Sequence, residues 1–491
     1  MRANYRANVT PRLGVLSDDQ IEQILYAAMD VLQQTGTRVY EESALKLLRE
    51  AGCVVKDDNL VHIPAWLIKT SLGSAPSRVV LGGRDREKRI ALEKDQIYFG
   101  TGSDCPFLLD PCSGERRRYT QQDVYRAAKI TDALPHIDFH MSLGLTSDVP
   151  IGTYDRHQLL AMLRGTTKPL VVTAVDKDGL ADQFEMACAA VGGIDQWRMA
   201  PLFAVYIEPS SPLENSSAAV EKLLFSAEND IPAIYTPCPI CGATGPATLA
   251  GTLVQNLAEC LTGVVISQLK RKGAAVIIGG VMSPLDMSTA IMGYGAPELI
   301  LLSAAMTNIT QSLHMPMFST AGCSDSKTLD QQAGIESALS IAYAALSGAN
   351  LIHDVGYLES AMIGSFDMLV MSNEVIGMVK RILRGVPVDK EHLALEAIGR
   401  VGPGGHFLLD DHTMQHFRSE FWVPELLDRS NWETWRAKGA KSLGTRVHEK
   451  VMDLIEHYDP IPISAETERA LERIVARADE THKAEDEVRL M

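Results

Sequence analysis

Residues 202–236 read LFAVYIEPSSPLENSSAAVEKLLFSAENDIPAIYT: a short β-branched and aromatic run, a Pro/Ser/Asn-rich turn, a long helical stretch, then a second short run. That is the pattern of two parallel strands joined by a crossover helix. Outward from this stretch the same unit recurs about eight times. Its strand-like runs are 96–99, 137–145, 169–175, 202–208, 232–236, 274–280, 317–321 and 350–354. Eight such units predict an α/β fold, a closed (β/α)8 TIM barrel. Chemistry in such barrels sits at the carboxyl ends of the strands, so eight short loops become the places to look.

The chain has 491 residues, 46% of them apolar and 22% charged, enough for a large core with extensions. Its formal charge of −16 argues against nucleic acid or an anionic membrane surface as the main partner. The N-terminus has no apolar signal core, and no run approaches the length of uninterrupted apolar sequence that spans a bilayer. Eight scattered cysteines then fit reduced thiols in a cytoplasm.

Three regions are expected. Residues 1–90 form an N-terminal α+β extension. Ser17-Asp18-Asp19-Gln20 has capping-box spacing ahead of a helix of period 3.6, a second helix covers 41–51 and stops at Gly52, and short strands follow near 54–55, 61–63 and 78–81. The extension would cover the amino end of the barrel or a partner subunit. Residues 91–385 are the barrel and catalytic domain, with a hairpin inserted before a helix capped by Thr120. Helices 246–269 and 297–313 are more apolar than covering one sheet face requires, so terminal extensions or a homo-oligomer interface must bury them. Residues 386–491 are a C-terminal helical extension. Three of the five tryptophans fall within 402–446, which implies packing on the barrel or a partner, and 465–491 reads as a charged amphipathic helix.

The strand ends supply the candidate groups. Tyr98 and Phe99 precede Gly100-Thr101-Gly102-Ser103-Asp104, aromatics followed by glycines that let backbone approach a ligand. Tyr206 and Glu208 share a face at the fourth run. Tyr235 ends the fifth, before a Cys238/Cys241 pair that lacks the second half of a zinc site. Gly279-Gly280 after the sixth run is weak as a phosphate loop. The seventh run leads into the most polar loop, with Lys327, Gln331 and Gln332, and the eighth gives His353, Asp354 and Tyr357, ahead of Phe366. No lysine sits at a strand end as a Schiff base would need, no metal-ligand spacing occurs, and no nucleophile elbow or dinucleotide fingerprint is present. Such a catalyst leaves the hard chemistry to a cofactor or partner.

Two motifs add a resemblance. The loop from Gly322-Cys323-Ser324-Asp325-Ser326-Lys327 to Asp330-Gln331-Gln332-Ala333-Gly334 and the block His406-Phe407-Leu408, His412-Thr413, Arg418-Ser419-Glu420-Phe421-Trp422-Val423-Pro424 and Asp428-Arg429 resemble the trimethylamine methyltransferase family, over about residues 10 to 460. The trimethylamine enzymes carry pyrrolysine. This chain has none, the counterpart falling near Gln331 and Gln332, and it looks like the larger branch that demethylates quaternary amines. The resemblance implies a methyl transfer from such an amine, glycine betaine first, to the Co(I) corrinoid (cobalamin) of a small partner protein, with no tightly bound cofactor. Proline betaine, carnitine, γ-butyrobetaine and trimethylamine are the alternative donors, and a non-catalytic quaternary-amine binding protein is the alternative reading. A quaternary ammonium expels a neutral amine and needs no general acid, so the protein's task is to position N–CH3 and exclude water. Tyr98, Phe99, Tyr206, Tyr235, Tyr357 and Phe366 are then the candidate rings of a cation cage. His353, Gln331 and Gln332 are candidate catalytic or carboxylate-binding groups, and Asp104, Glu208 and Asp354 would balance the ammonium.

Overall fold

The computed structural model describes residues 9–490, with side chains described through residue 484. Seven strands form one all-parallel sheet: β1 (Tyr98–Phe99), β2 (Leu170–Val172), β3 (Phe203–Ile207), β4 (Ala233–Tyr235), β5 (Val276–Gly279), β6 (Met317–Thr320) and β7 (Leu351–His353). Their order is β1-β7-β6-β5-β4-β3-β2. Alternation along each strand splits the apolar residues between two clusters. Val171, Ala204, Ile234, Ile277, Phe318 and Leu351 face inward with Phe139, while Val205, Ile207, Ile278 and Ile352 face the surrounding helices. Both faces are buried, which is why these runs are almost wholly apolar.

The run at 137–145, expected as a full strand, forms only isolated bridges. Phe139 pairs with Gly100 beyond β1 and His140 pairs with Leu170 of β2, so this one segment touches both edges of the sheet. A side chain explains the lost ladder. The Thr101 hydroxyl donates to the Met141 carbonyl at 2.7 Å and accepts the Met141 N–H at 2.8 Å, taking bonds that a strand would have used. Leu143 then turns the chain with φ of +61°.

The extensions share the barrel's core. A hairpin, Val79–Gly82 with Arg89–Leu92, closes the amino end of the sheet, its Val79, Leu81, Ile90 and Leu92 joining the inward cluster. The N-terminal helices Asp18–Asp30, Glu42–Glu50 and Ala65–Ser74 lie instead along the flank, against helix Leu249–Lys270. Ser17 and Gln20 cap the first reciprocally, and the Glu41 carboxylate accepts the Ser43 and Ala44 N–H groups to start the second. Strand Thr37–Val39 fastens this unit to Glu214–Asn215, in the loop after β3. Helix Leu249–Lys270 is long and apolar enough to cross a membrane, yet 72% of its apolar window is buried inside the fold. Its apolar excess is therefore matched within the chain.

At the other end, helix Leu443–His457 packs on Phe366–Leu383, and Ala465–Leu490 lies along Lys177–Val191, tied by Arg164 to Glu468 and Glu472 and by Arg477 to Asp182 and Glu185. The segment between them behaves differently. From 386 to 446 only Ala397 and Leu426 are buried. Of its tryptophans, Trp422 sits half-buried beside Gly377, while Trp432 is 63% exposed and packs on Trp435, ring centroids 5.0 Å apart. Trp422 is thus the one of the three that packs beside the barrel's last helix, Phe366–Leu383.

Candidate active site

The carboxyl ends of β6 and β7 bring together the polar groups that matter most. Phe318 of β6 points inward, and the His353 ring at the end of β7 lies on it, centroids 4.0 Å apart, with Tyr206 of β3 next to both at 5.6 and 6.4 Å. His353 Nδ1 faces the Ser319 carbonyl at 2.8 Å and Nε2 faces Asp354 Oδ1 at 3.2 Å. Asp354 Oδ2 accepts the Thr320 hydroxyl at 2.5 Å and the Tyr294 hydroxyl at 3.1 Å. Asp354 itself adopts φ of +76°, which turns the chain so that its carboxylate reaches back over the strand ends.

Tyr294 stands edge-on to Tyr357, centroids 6.4 Å apart, and the Tyr357 hydroxyl donates to the Ser103 carbonyl. A glycine makes this wall possible. A Cβ on Gly102 would lie 2.2 Å from the Tyr357 ring and 2.4 Å from Asp354 Oδ1, so no other residue fits there. On the opposite side the Tyr206 hydroxyl donates to Glu208 Oε2 at 2.9 Å.

Three carboxyl groups, Asp104, Glu208 and Asp354, thus share one recess. Burial pushes the Asp104 carboxyl up to about 6, opposed by hydrogen bonds from Ser103 and Thr173 and reinforced by the charge of Asp155. One of its oxygens is buried with no hydrogen-bond partner. Burial also raises Glu208, against the Tyr206 hydrogen bond, and the Asp104 charge adds to the rise. Glu208 is nevertheless solvent-accessible. Lys222 is the cation that acts on Asp104. Burial lowers its own ammonium, and its Nζ is engaged by the Ala174 carbonyl at 2.7 Å. The Cys238 thiol also borders the recess, raised by burial first and then by Glu208 and Asp354, so it stays protonated and is a poor nucleophile.

The polar loop after β6 acts as a brace. Asp325 accepts the Tyr294 N–H at 2.8 Å, the Gly295 N–H at 2.9 Å and the Ser360 hydroxyl at 2.7 Å, tying together the loops after β5, β6 and β7. Glu336 holds Asp325 in turn, through its N–H at 2.9 Å and through Ser324 Oγ at 2.6 Å. Gln331 and Gln332 open the following helix, Gln331–Ser347, on an exposed first turn, where Gln332 Nε2 donates to Glu336 Oε1 at 2.9 Å. The structure does not bring either to the His353 cluster.

Of the other sequence candidates, Tyr206, Glu208, Asp104, Asp354, His353 and Tyr357 converge, and four rings lie elsewhere. Tyr98 faces inward but at the closed end, where its oxygen accepts the Ala91 N–H of the capping hairpin at 3.2 Å. Phe99 and Tyr235 belong to the helix-facing cluster, and the Tyr235 hydroxyl donates to Asn215 Oδ1 at 2.6 Å. Phe366 is buried in that same cluster at the start of its helix. Sequence reasoning missed Thr320, Phe318 and Tyr294. Gly293-Tyr294-Gly295, just before the Pro297 helix start, is the one signal that would have found a ring in a loop.

The sequence profile described as trimethylamine methyltransferase matches residues 1–482. The chain belongs to the trimethylamine methyltransferase family. It is 32% identical to the trimethylamine methyltransferase of Desulfitobacterium hafniense over 471 residues, 96% of this chain and 95% of that one. It is 31% identical to a glycine betaine methyltransferase from the same species, over 95% of this chain and 97% of that one. Among solved structures, the monomethylamine methyltransferase of Methanosarcina barkeri superposes with a TM-score of 0.53 at 12% identity, covering 93% of this chain and 90% of that one. That likeness is one of fold. Within the family, the motif around Asp325 acts here as the brace that holds Tyr294 over Asp354.

Proposed function

We propose that this member of the family moves a methyl group from a quaternary amine to the Co(I) corrinoid of a partner protein, inside a barrel that the two bridges of Phe139 and His140 close to (β/α)8. The observation that carries the reading is the recess itself: Asp104, Glu208 and Asp354 beside the rings of Tyr206, Phe318, Tyr294 and Tyr357. Carboxylates among aromatic faces suit a cation that cannot be deprotonated and has few hydrogen bonds to offer. The methyl carbon is attacked by the partner's Co(I), a co-substrate. The C–N bond breaks, its electron pair stays on nitrogen, and a neutral tertiary amine leaves with no proton required. The chain's own share is to hold N–CH3 in line with the open mouth and to exclude water. Co(I) survives only under reducing conditions, which fits a cytoplasmic setting for the eight free thiols.

Glycine betaine, giving dimethylglycine, is the donor favoured by the resemblance and is supported by the 31% identical relative. The test mixes the enzyme, its reduced corrinoid partner and one amine at a time, and follows the Co(I) absorbance. Loss of Co(I) with glycine betaine is expected. Loss with trimethylamine or carnitine but not with glycine betaine overturns the choice of donor. No loss with any methylated amine overturns the reaction.

A further inference from the structure

The run at 137–145 is not a full strand, and where it parts from β2 it leaves a space in the barrel wall. The bond from the Val171 N–H to the His140 carbonyl, at 3.0 Å, is the last backbone bond between the two among the described residues. Beyond it lies a cavity of about 10 Å3, walled by Ser142 of that run, Thr173 just past β2, Ser103, Met162 and Gln183. That is room for one water molecule.

Two of these walls carry polar atoms that the protein leaves unpaired. Ser142 is 3% exposed, and its hydroxyl has no hydrogen-bond partner. Gln183, on helix Lys177–Val191, is 1% exposed, and its Oε1 has none either. The other end of the amide fixes its orientation. Nε2 donates to the Thr173 carbonyl at 2.9 Å and to the Asp155 carbonyl at 3.2 Å, so a flip would set oxygen against two oxygens. A bare acceptor and a bare hydroxyl around a space of this size are the complement of a molecule that both accepts and donates.

The neighbours of the cavity give it a function. Ser103 and Thr173 are the residues whose side chains hydrogen-bond Asp104, and the Ser103 carbonyl accepts the Tyr357 hydroxyl. Around Asp104 also stand Asp155 and Tyr154 of helix Tyr154–Gly165, Glu208 after β3, Cys105 on its own loop, and Lys222 of helix Ser217–Glu228. The carboxylates among them oppose its charge. Lys222 and the two hydroxyl bonds favour it.

We propose that Ser142 and Gln183 hold one ordered water molecule in this cavity and act through it as positioning residues for Asp104. The water accepts the Ser142 hydroxyl hydrogen, donates to Gln183 Oε1, and turns its second O–H to the hydroxyls of Ser103 and Thr173. Their own hydrogens are then kept on Asp104, which favours its charged form. Resting on the reading of the recess as a cation site, this gives the pair a part in holding the donor.

High-resolution crystal structures of the full chain and of Ser142→Val read the water directly. Infrared titration reads Asp104, whose carboxyl band is identified by its loss in Asp104→Asn. A water in reach of Ser142 Oγ and Gln183 Oε1 is expected in the wild type and none in Ser142→Val. The Asp104 midpoint, about 6 in the wild type, should rise by about half a pH unit or more in the variant. Ser142→Ala, which adds no bulk, should move it in the same direction and guards against a misfolded valine variant. Wild-type density without the water overturns the proposal, as does a midpoint that neither variant moves. An anomalous signal at the site after rubidium soaking marks a cation and overturns the water. Titration calorimetry separates this from the reading it rests on: tetramethylammonium should bind Ser142→Val about twofold more weakly at pH 6 and equally at pH 8, where Asp104 is ionised in both. If the midpoint moves but the wild type binds no tetramethylammonium at either pH, the water stands and the cation site falls.

Discussion

Replacing Asp104 by asparagine removes a carboxyl group that burial disfavours in its charged form and that has one oxygen without a hydrogen-bond partner. In the unfolded chain its pKa is near 4, and in the folded chain it is about 6. An acid raised by folding costs nothing where it is protonated in both states, and the cost grows as pH climbs from about 4 to about 6. Above pH 6 the wild type therefore carries a penalty of about 3 kcal/mol, from about 2 pH units at 1.36 kcal/mol each, and at pH 5 about half of that. Asp104→Asn should recover it. In a chain of this length about 1 kcal/mol moves the melting temperature by about 1 °C, so the variant should melt about 3 °C higher at pH 8 and about 1.5 °C higher at pH 5. The same change should weaken a quaternary amine. A carboxylate about 5 Å from the ammonium at an effective dielectric of about 20 contributes about 3 kcal/mol, so Kd should rise on the order of 100-fold. Scanning calorimetry at the two pH values and titration calorimetry with glycine betaine and with tetramethylammonium read both effects. Equal melting temperatures at pH 8 together with unchanged affinity for both amines would refute the placement of Asp104 in the cation site.

Two further substitutions separate the recess from its surroundings. Gly102→Ala should push Tyr357 and Asp354 out of place and cut methyl transfer at least 100-fold with little change in secondary structure, read by Co(I) consumption and circular dichroism, since the new Cβ would fall inside both side chains. Tyr235→Phe should lose the bond to Asn215 and about 1 kcal/mol of stability, seen in denaturant melts, while KM for the donor stays within twofold because that ring faces the helices.

The repeating strand–helix rhythm is legible because covering both faces of a parallel sheet demands apolar runs at crossover spacing, and seven of the eight runs became strands. The remaining run, 137–145, failed for a reason outside its own sequence, since the Thr101 hydroxyl that displaces its ladder lies some forty residues earlier. Which ring faces the mouth was less legible. The runs are only two to five residues long and apolar on both sides, so nothing in the pattern sets the phase. Tyr206 points inward because it follows Ala204 by two positions, while Tyr235 points outward because it follows Ile234 by one, into space left by Gly263. Tyr98 does face inward, but toward a hairpin whose place at the closed end only the fold reveals. Gln331 and Gln332 lie on an exposed first turn, while half-buried Asp325 of the same loop and Glu336, just beyond it, make the bonds that brace the site.

Three acids around a cation pose a problem of their own. A methyl group leaving a quaternary nitrogen carries positive charge out of the recess, so any interaction that grips the cation more firmly than the transition state slows the transfer. Fully ionised carboxylates in contact with the ammonium would do that. The structure moderates the grip in two ways. Burial raises the Asp104 and Glu208 carboxyls, and Asp354 is shared among Thr320, Tyr294 and His353, which spread its charge. The rings, whose attraction changes gradually as charge moves, then carry more of the recognition. As the amine becomes neutral it loses its hold on the acids. Donor affinity and turnover are for this reason expected to respond in opposite directions to added negative charge in the recess, which is why the number of carboxylates alone is a poor guide to which amine is used best.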